Sequence, residues 1–198
     1  MADQEQDLDS RQQPDEAHGL DAFRGECQRD LEAFSKLHGR AFLLLRRASG
    51  PEPLTPPNRP TRTLVTEVNE DKIEGRELSP AEYLVFPIRK TERSIIARFY
   101  SVGQTRNNDI VVRDVTVSKF HAFFQDSDDG QGFVLQDARS TNGTFVNDER
   151  VPAQGSGDPV RVRAGDVIRF GGVELSFLTA ADLCALVRSV SSVMQRRK

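Results

Sequence analysis

Three short polar segments hold the residues best suited to binding chemistry. They are Gly103-Gln104-Thr105-Arg106-Asn107-Asn108-Asp109-Ile110, Val115-Thr116-Val117-Ser118-Lys119-Phe120-His121-Ala122 and Ser140-Thr141-Asn142-Gly143-Thr144-Phe145-Val146-Asn147. Between them they offer short hydroxyls (Ser118, Ser140, Thr141), amides (Asn107, Asn142) and cations (Arg106, Lys119, and Arg139 just ahead of the third). Hydroxyls and amides suit hydrogen bonds to phosphate oxygens and to a peptide backbone. Cations add charge-assisted contacts worth about 1.5–3 kcal/mol each. Gly143 permits a turn with positive φ, which would aim the Asn142 side chain outward.

The same residues do not compose a catalytic centre. Ser118 and His121 stand three apart in a loop, with no G-x-S-x-G and no strand–turn–helix elbow to activate the serine. His18, His38 and His121 are scattered over three regions and match no metal spacing. Asp126, Asp128 and Asp129 ahead of Gly130 lack the spacing and closing Glu of a calcium loop, so a solvated hairpin turn is expected. No catalytic residue, metal or cofactor is expected.

The elements that must position these segments are short strands. From Glu82 onward, β-like runs alternate with turn residues: Tyr83–Ile88, Ser94–Val102, Ile110–Val112, Ala122–Gln125, Phe133–Gln136, Thr144–Val146, Val160–Val162, Val167–Phe170 and Val173–Leu178. That spacing predicts an all-β sandwich of two antiparallel sheets over residues 81–179. Flanking α-helices are expected on both sides. Leu20, Phe23, Cys27, Leu31, Phe34, His38, Phe42 and Leu45 recur at three and four, predicting one amphipathic helix over 20–48. It would pack on the sandwich, pair with a second copy into a homo-oligomer, or dock on a partner. A C-terminal helix over 180–198 is announced by Thr179 as N-cap with Asp182 three residues on. Residues 1–19 read as a disordered acidic N-terminus and 49–80 as a Pro-rich linker, with weak strand character around Thr63–Val68.

Composition narrows the function class. The chain has 198 residues, 37% hydrophobic and 29% charged, with a net charge of −3. Residues 81–178 hold 12 basic and 13 acidic side chains, which gives no basic face for a nucleic-acid backbone. No run approaches the ~20 apolar residues of a membrane span, and the acidic start is unlike a signal peptide. A cytoplasmic protein is expected, with Cys27 and Cys184 as two reduced thiols.

The three segments, in this order and spacing, resemble the forkhead-associated (FHA) domain family. That pattern is a Gly-Arg pair, then Ser-x-x-His, then Ser-Thr-Asn-Gly-Thr with an Asn shortly after; Gly103-Gln104, Ser118–His121, Ser140–Thr144 and Asn147 stand at those positions. The resemblance implies a two-sheet sandwich that recognises phosphothreonine peptides, and a non-catalytic adaptor downstream of a serine/threonine kinase. It implies that Ser118 bonds the phosphate with Thr141 in support, that Asn142 bonds the peptide backbone, and that Lys119 adds a phosphate or peptide contact. Gly103, His121, Gly143 and Asn147 become structural residues. One position departs from the pattern: Gln104 replaces the arginine, so the site lacks one guanidinium fork. Arg106 and Arg139 are the candidate replacements. The alternative is a degenerate scaffold that binds an unphosphorylated partner.

Overall fold

The computed structural model describes residues 17–27, 30–46, 82–94 and 96–195. The expectations for residues 1–16, for the Pro-rich linker including Thr63–Val68, and for the basic tip at 196–198 lie outside the described residues. In chain order the strands are β1 (His18–Gly19), β2 (Ala41–Arg46), β3 (Tyr83–Pro87), β4 (Tyr100–Gly103), β5 (Ile110–Val111), β6 (Ala122–Asp126), β7 (Phe133–Asp137), β8 (Thr144–Val146), β9 (Glu149–Arg150), β10 (Val160–Val162), β11 (Val167–Phe170) and β12 (Val173–Thr179). Two α-helices join them, α1 (Leu31–His38) and α2 (Ala180–Gln195).

The strands form two facing sheets. One has seven strands in the order β1-β3-β2-β12-β11-β8-β9, the other five in the order β10-β7-β6-β4-β5. Pairing is antiparallel except for β4 with β5, which is parallel. Between the sheets lies a core that includes Leu43, Val102, Phe124, Leu135, Ile168, Phe170, Leu175 and Phe177. Each such side chain contributes about 1.5–3 kcal/mol on burial.

A second core covers the outer face of the larger sheet. Leu20, Phe23, Cys27, Phe34, Phe42, Leu44, Val85, Leu183, Cys184 and Val187 meet there, beneath α1, α2 and a 3-10 turn at Leu20–Phe23. This corrects the single helix expected over 20–48. The chain makes a 3-10 turn and a short helix that ends where Gly39 adopts φ 108 and donates its N–H to the Ser35 carbonyl. Strand β2 follows, so the sandwich begins well before residue 81. Phe42 and Leu44 face the outer core and Leu43 the inner one, so the strand reads as an unbroken apolar run with no period. Leu20, Phe23, Cys27 and Phe34 are spent inside the protein's own second core, which removes the stripe invoked for self-pairing.

Two more expectations change. Cys27 and Cys184 are joined in a disulfide, their Cα atoms 5.0 Å apart, because both project into the second core. In the run Ser94–Val102, only Tyr100 onward is strand. Among the described residues ahead of it, Ser94 Oγ and the carbonyls of Ile96 and Phe99 are instead gathered around the Lys90 ammonium. The C-terminal helix forms as expected, with Thr179 N–H donating to Asp182 Oδ2 at 2.9 Å and Asp182 N–H returning to Thr179 Oγ1 at 3.3 Å.

Register brings the three polar segments to one end. Ala122 pairs with Asp137 at one end of β6–β7 and Asp126 with Phe133 at the other. Val102 lies beside Ala122, so the segments leaving Gly103, entering Ala122 and leaving Asp137 emerge together.

Candidate functional site

The first and second segments meet backbone to backbone. A Cβ on Gly103 would stand 2.2 Å from the Lys119 carbonyl oxygen, so only glycine allows the approach. Gln104 N–H donates to the Ser118 carbonyl at 3.0 Å. The Lys119 carbonyl accepts from Asn108 Nδ2 at 2.7 Å and Thr105 Oγ1 at 2.9 Å. Tied by its main chain, Lys119 leaves its ammonium exposed, and no partner for it stands among the described residues.

Ser118 joins the second segment to the third. Its Oγ accepts the Thr141 N–H at 3.1 Å and lies 3.4 Å from Thr141 Oγ1. Its own N–H donates to Nδ1 of His121 at 3.0 Å. That leaves the proton on Nε2, which donates to the Gly143 carbonyl at 3.1 Å. His121 is fully buried. Burial pushes its pKa below the ordinary 6.5, against the opposing pull of the Gly143 carbonyl and of Asp137. Both ring nitrogens are thus committed to backbone, and neither is placed to take a proton from Ser118 Oγ.

The third segment is fixed from below by Asp137. Its carboxylate accepts Ser140 N–H at 3.0 Å, Ser140 Oγ at 2.6 Å and Thr144 Oγ1 at 2.7 Å. Gly143, at φ 81, donates its N–H to Ser140 Oγ at 3.0 Å. Asn142 is exposed and gives Nδ2 to the Thr116 carbonyl at 2.7 Å, which leaves Oδ1 as an acceptor with no donor among the described residues. Asn147, at φ 50, clamps the far end: Nδ2 donates to Asp166 Oδ1 at 2.8 Å and Oδ1 accepts Val167 N–H at 2.9 Å.

Three candidate contacts are placed differently from one another. Gln104 gives Nε2 to the Asp114 carbonyl at 2.9 Å, bracing the loop that leads to Ser118. Arg139, at φ 62, turns its Nε to the Gln154 carbonyl at 3.2 Å. Arg106 is exposed with no partner among the described residues.

Sequence reasoning missed the two buried acids that hold the loops. Asp137 ends its strand three residues before Ser140, and that placement is its only signal. Asp109 draws in Lys90 Nζ at 2.8 Å, Thr91 N–H at 2.8 Å and Ser101 N–H at 2.8 Å. Burial raises its pKa, but the Lys90 ammonium and the hydrogen bonds from Ser101 and Thr91 outweigh that and hold the carboxyl below the usual range. At the opposite end of the sandwich a separate cleft of about 600 Å³ lies between Arg40, Phe133, Arg161, Arg163 and Phe177, away from these loops.

Residues 100–171 match the family model of the FHA domain. The chain carries an FHA domain. Among relatives of this domain is the glycogen accumulation regulator GarA of Mycolicibacterium smegmatis, 39% identical over 79 residues, covering 40% of this chain and 45% of GarA. Human kanadaptin is 34% identical over 85 residues, covering 38% of this chain and 11% of kanadaptin. Across the curated relatives the FHA match spans between 8% and 45% of their length. A solved structure of Mycobacterium tuberculosis EmbR in complex with a low affinity phosphopeptide is 34% identical, covering 41% of this chain and 20% of that one, with a TM-score of 0.35. Elements β1, β2, β3, β12, α1 and α2 lie outside the matched residues. No helix among the described residues is long and apolar enough to cross a membrane.

Proposed function

We propose that this chain is a non-catalytic, phosphothreonine-dependent protein-binding module that serves as an adaptor in serine/threonine kinase signalling. One observation carries the reading: Ser118 Oγ and Thr141 Oγ1 lie 3.4 Å apart at the lip where two loops meet. Two adjacent hydroxyls on a fixed backbone can donate to two oxygens of one phosphate. Arg106 and Lys119 supply the charge, each exposed and without a partner among the described residues. Asn142 Oδ1 accepts a peptide N–H. EmbR, 35% identical over 80 residues, supports the reading, since it has been seen with a phosphopeptide. Arg139 is the weaker of the candidate cations, because it is turned to Gln154. Such a module works where protein kinases act, in the cytoplasm, and its partner is a phosphothreonine-bearing protein.

The second reading, a degenerate site that binds an unphosphorylated partner, draws on Gln104. Its amide is engaged with Asp114 and brings no charge to the lip. Titration with matched phosphorylated and unphosphorylated threonine peptides separates the two. Binding that needs the phosphate and is lost in Ser118→Ala supports the first. Equal binding of both peptides, untouched by Ser118→Ala, supports the second.

A further inference from the structure

Beside Asn142 a row of side chains crosses the larger sheet, running from Arg150 through Phe145 and Arg169 to Glu174 of β12, which pairs with Arg169. Arg169 of β11 pairs with Phe145 of β8, and Phe145 pairs with Arg150 of β9, so the three share one face. Their strand neighbours Thr144, Val146, Ile168 and Phe170 are buried toward the inner core, which makes this the outer face. The layer beneath α1 and α2 is built on β3, β2 and β12 and leaves this corner uncovered. The Arg169 guanidinium lies 3.8 Å over the Phe145 ring, and its Nη1 donates to the Gly171 carbonyl at 3.0 Å. On the other side, Arg150 Nη2 and the Phe145 ring both come within 3.4 Å of where a Gly143 Cβ would stand. Arg150 is exposed and has no ion pair among the described residues.

We propose that the Arg150 end of this row is a second contact surface for the same ligand, binding carboxylate side chains that flank the phosphothreonine on the Asn142 side. It deepens the proposed function and rests on that reading. Two features of the row support it. Gly143 adjoins Asn142, so a segment bonded to Asn142 Oδ1 passes over Arg150 without leaving the surface. A guanidinium fork donates two parallel hydrogen bonds to the oxygens of a carboxylate. The ligand class is a phosphothreonine with an acidic run on one flank only, because a bound chain direction sends one flank toward Arg150 and the other away.

Three peptides with one phosphothreonine core test this: three aspartates before it, three aspartates after it, or alanines on both sides. Each is titrated by fluorescence anisotropy into the native protein, Arg150→Gln and Arg163→Gln, the last removing an equal charge at the far end of the sandwich. One acidic peptide is expected to bind about two- to fivefold tighter than the neutral one, the range for exposed charge contacts. Arg150→Gln should erase that advantage and Arg163→Gln should keep it. Equal gains from both flanks, or equal losses in the two variants, would mean general electrostatics and overturn this inference alone. If none of the three binds better than its unphosphorylated counterpart, the phosphothreonine reading falls and takes this one with it.

Discussion

Gln104 donates its side-chain amide to the backbone carbonyl of Asp114, 2.9 Å away, across the base of the loop that carries Ser118. The residue braces two loops and presents no charge to a ligand. An arginine at this position would reach the same lip with a fixed fork of donors. Gln104→Arg is expected to tighten phosphopeptide binding about ten- to a hundredfold, the worth of one charge-assisted contact. Calorimetric titration with a single phosphothreonine peptide checks this. An unchanged Kd would mean that phosphate does not approach residue 104.

His121 makes the loops sensitive to acid. Burial holds its imidazole neutral to a pH below the ordinary 6.5, so the unfolded chain takes up the proton more readily than the folded one. Stability contributed by neutral His121 is complete above 6.5 and is lost as the pH falls below it. Thermal melts between pH 7 and about 5 should therefore slope downward in the native protein. His121→Gln, which cannot titrate, should slope less.

Gly103→Ala tests the contact between the first two segments. Its Cβ would lie 2.2 Å from the Lys119 carbonyl oxygen, 2.8 Å from the Lys119 carbonyl carbon and 2.7 Å from Asn108 Nδ2, which is itself held by the Lys119 carbonyl. A cost of about 3 kcal/mol is expected, at the upper end for overpacking. Urea denaturation measures it. Gly25→Ala, at a site open to solvent and without a positive φ, provides the comparison for loss of a glycine alone.

The disulfide ties the segment ahead of α1 to α2, its cysteines 157 positions apart in sequence. Constraint on so long a loop makes its loss cost about 2–5 kcal/mol. Denaturation with and without dithiothreitol, beside a Cys27→Ala, Cys184→Ala double variant, reads the difference. Free-thiol titration of protein taken from a reducing cytosol reports whether the bond forms there, where disulfides are uncommon.

Where short apolar runs are bounded by turn residues, the sequence was readable. Strands β6, β7, β8 and β11 fall where turn residues and apolar runs placed them, and the Thr179–Asp182 cap lies where its spacing indicated. The second core was not readable. Leu20, Phe23, Cys27 and Phe34 do share one side, which imitates a helix stripe. Only the turn at Gly39 and the two-sided burial of β2 break it, and neither has a distinct signature in one sequence. In the site, Ser118, Thr141 and Asn142 stood out by their types, and their joint role came from the resemblance to the FHA pattern. The supports did not stand out, because Asp137 and Asp109 look like surface acids until the strands bring donors around them. The direction taken by Arg139 depends on its positive φ, which residue type alone does not give.

The most direct test of phosphothreonine recognition is a ¹H–¹⁵N correlation spectrum of the protein titrated with one threonine peptide, phosphorylated and then unphosphorylated. The phosphorylated form should shift the amides of residues 104–106, 117–120 and 140–143. The Thr141 amide, bonded to Ser118 Oγ, should move among the furthest. The unphosphorylated form should leave them in place. Shifts that ignore the phosphate, or that fall on α1 and α2 while these loops stay still, would contradict it.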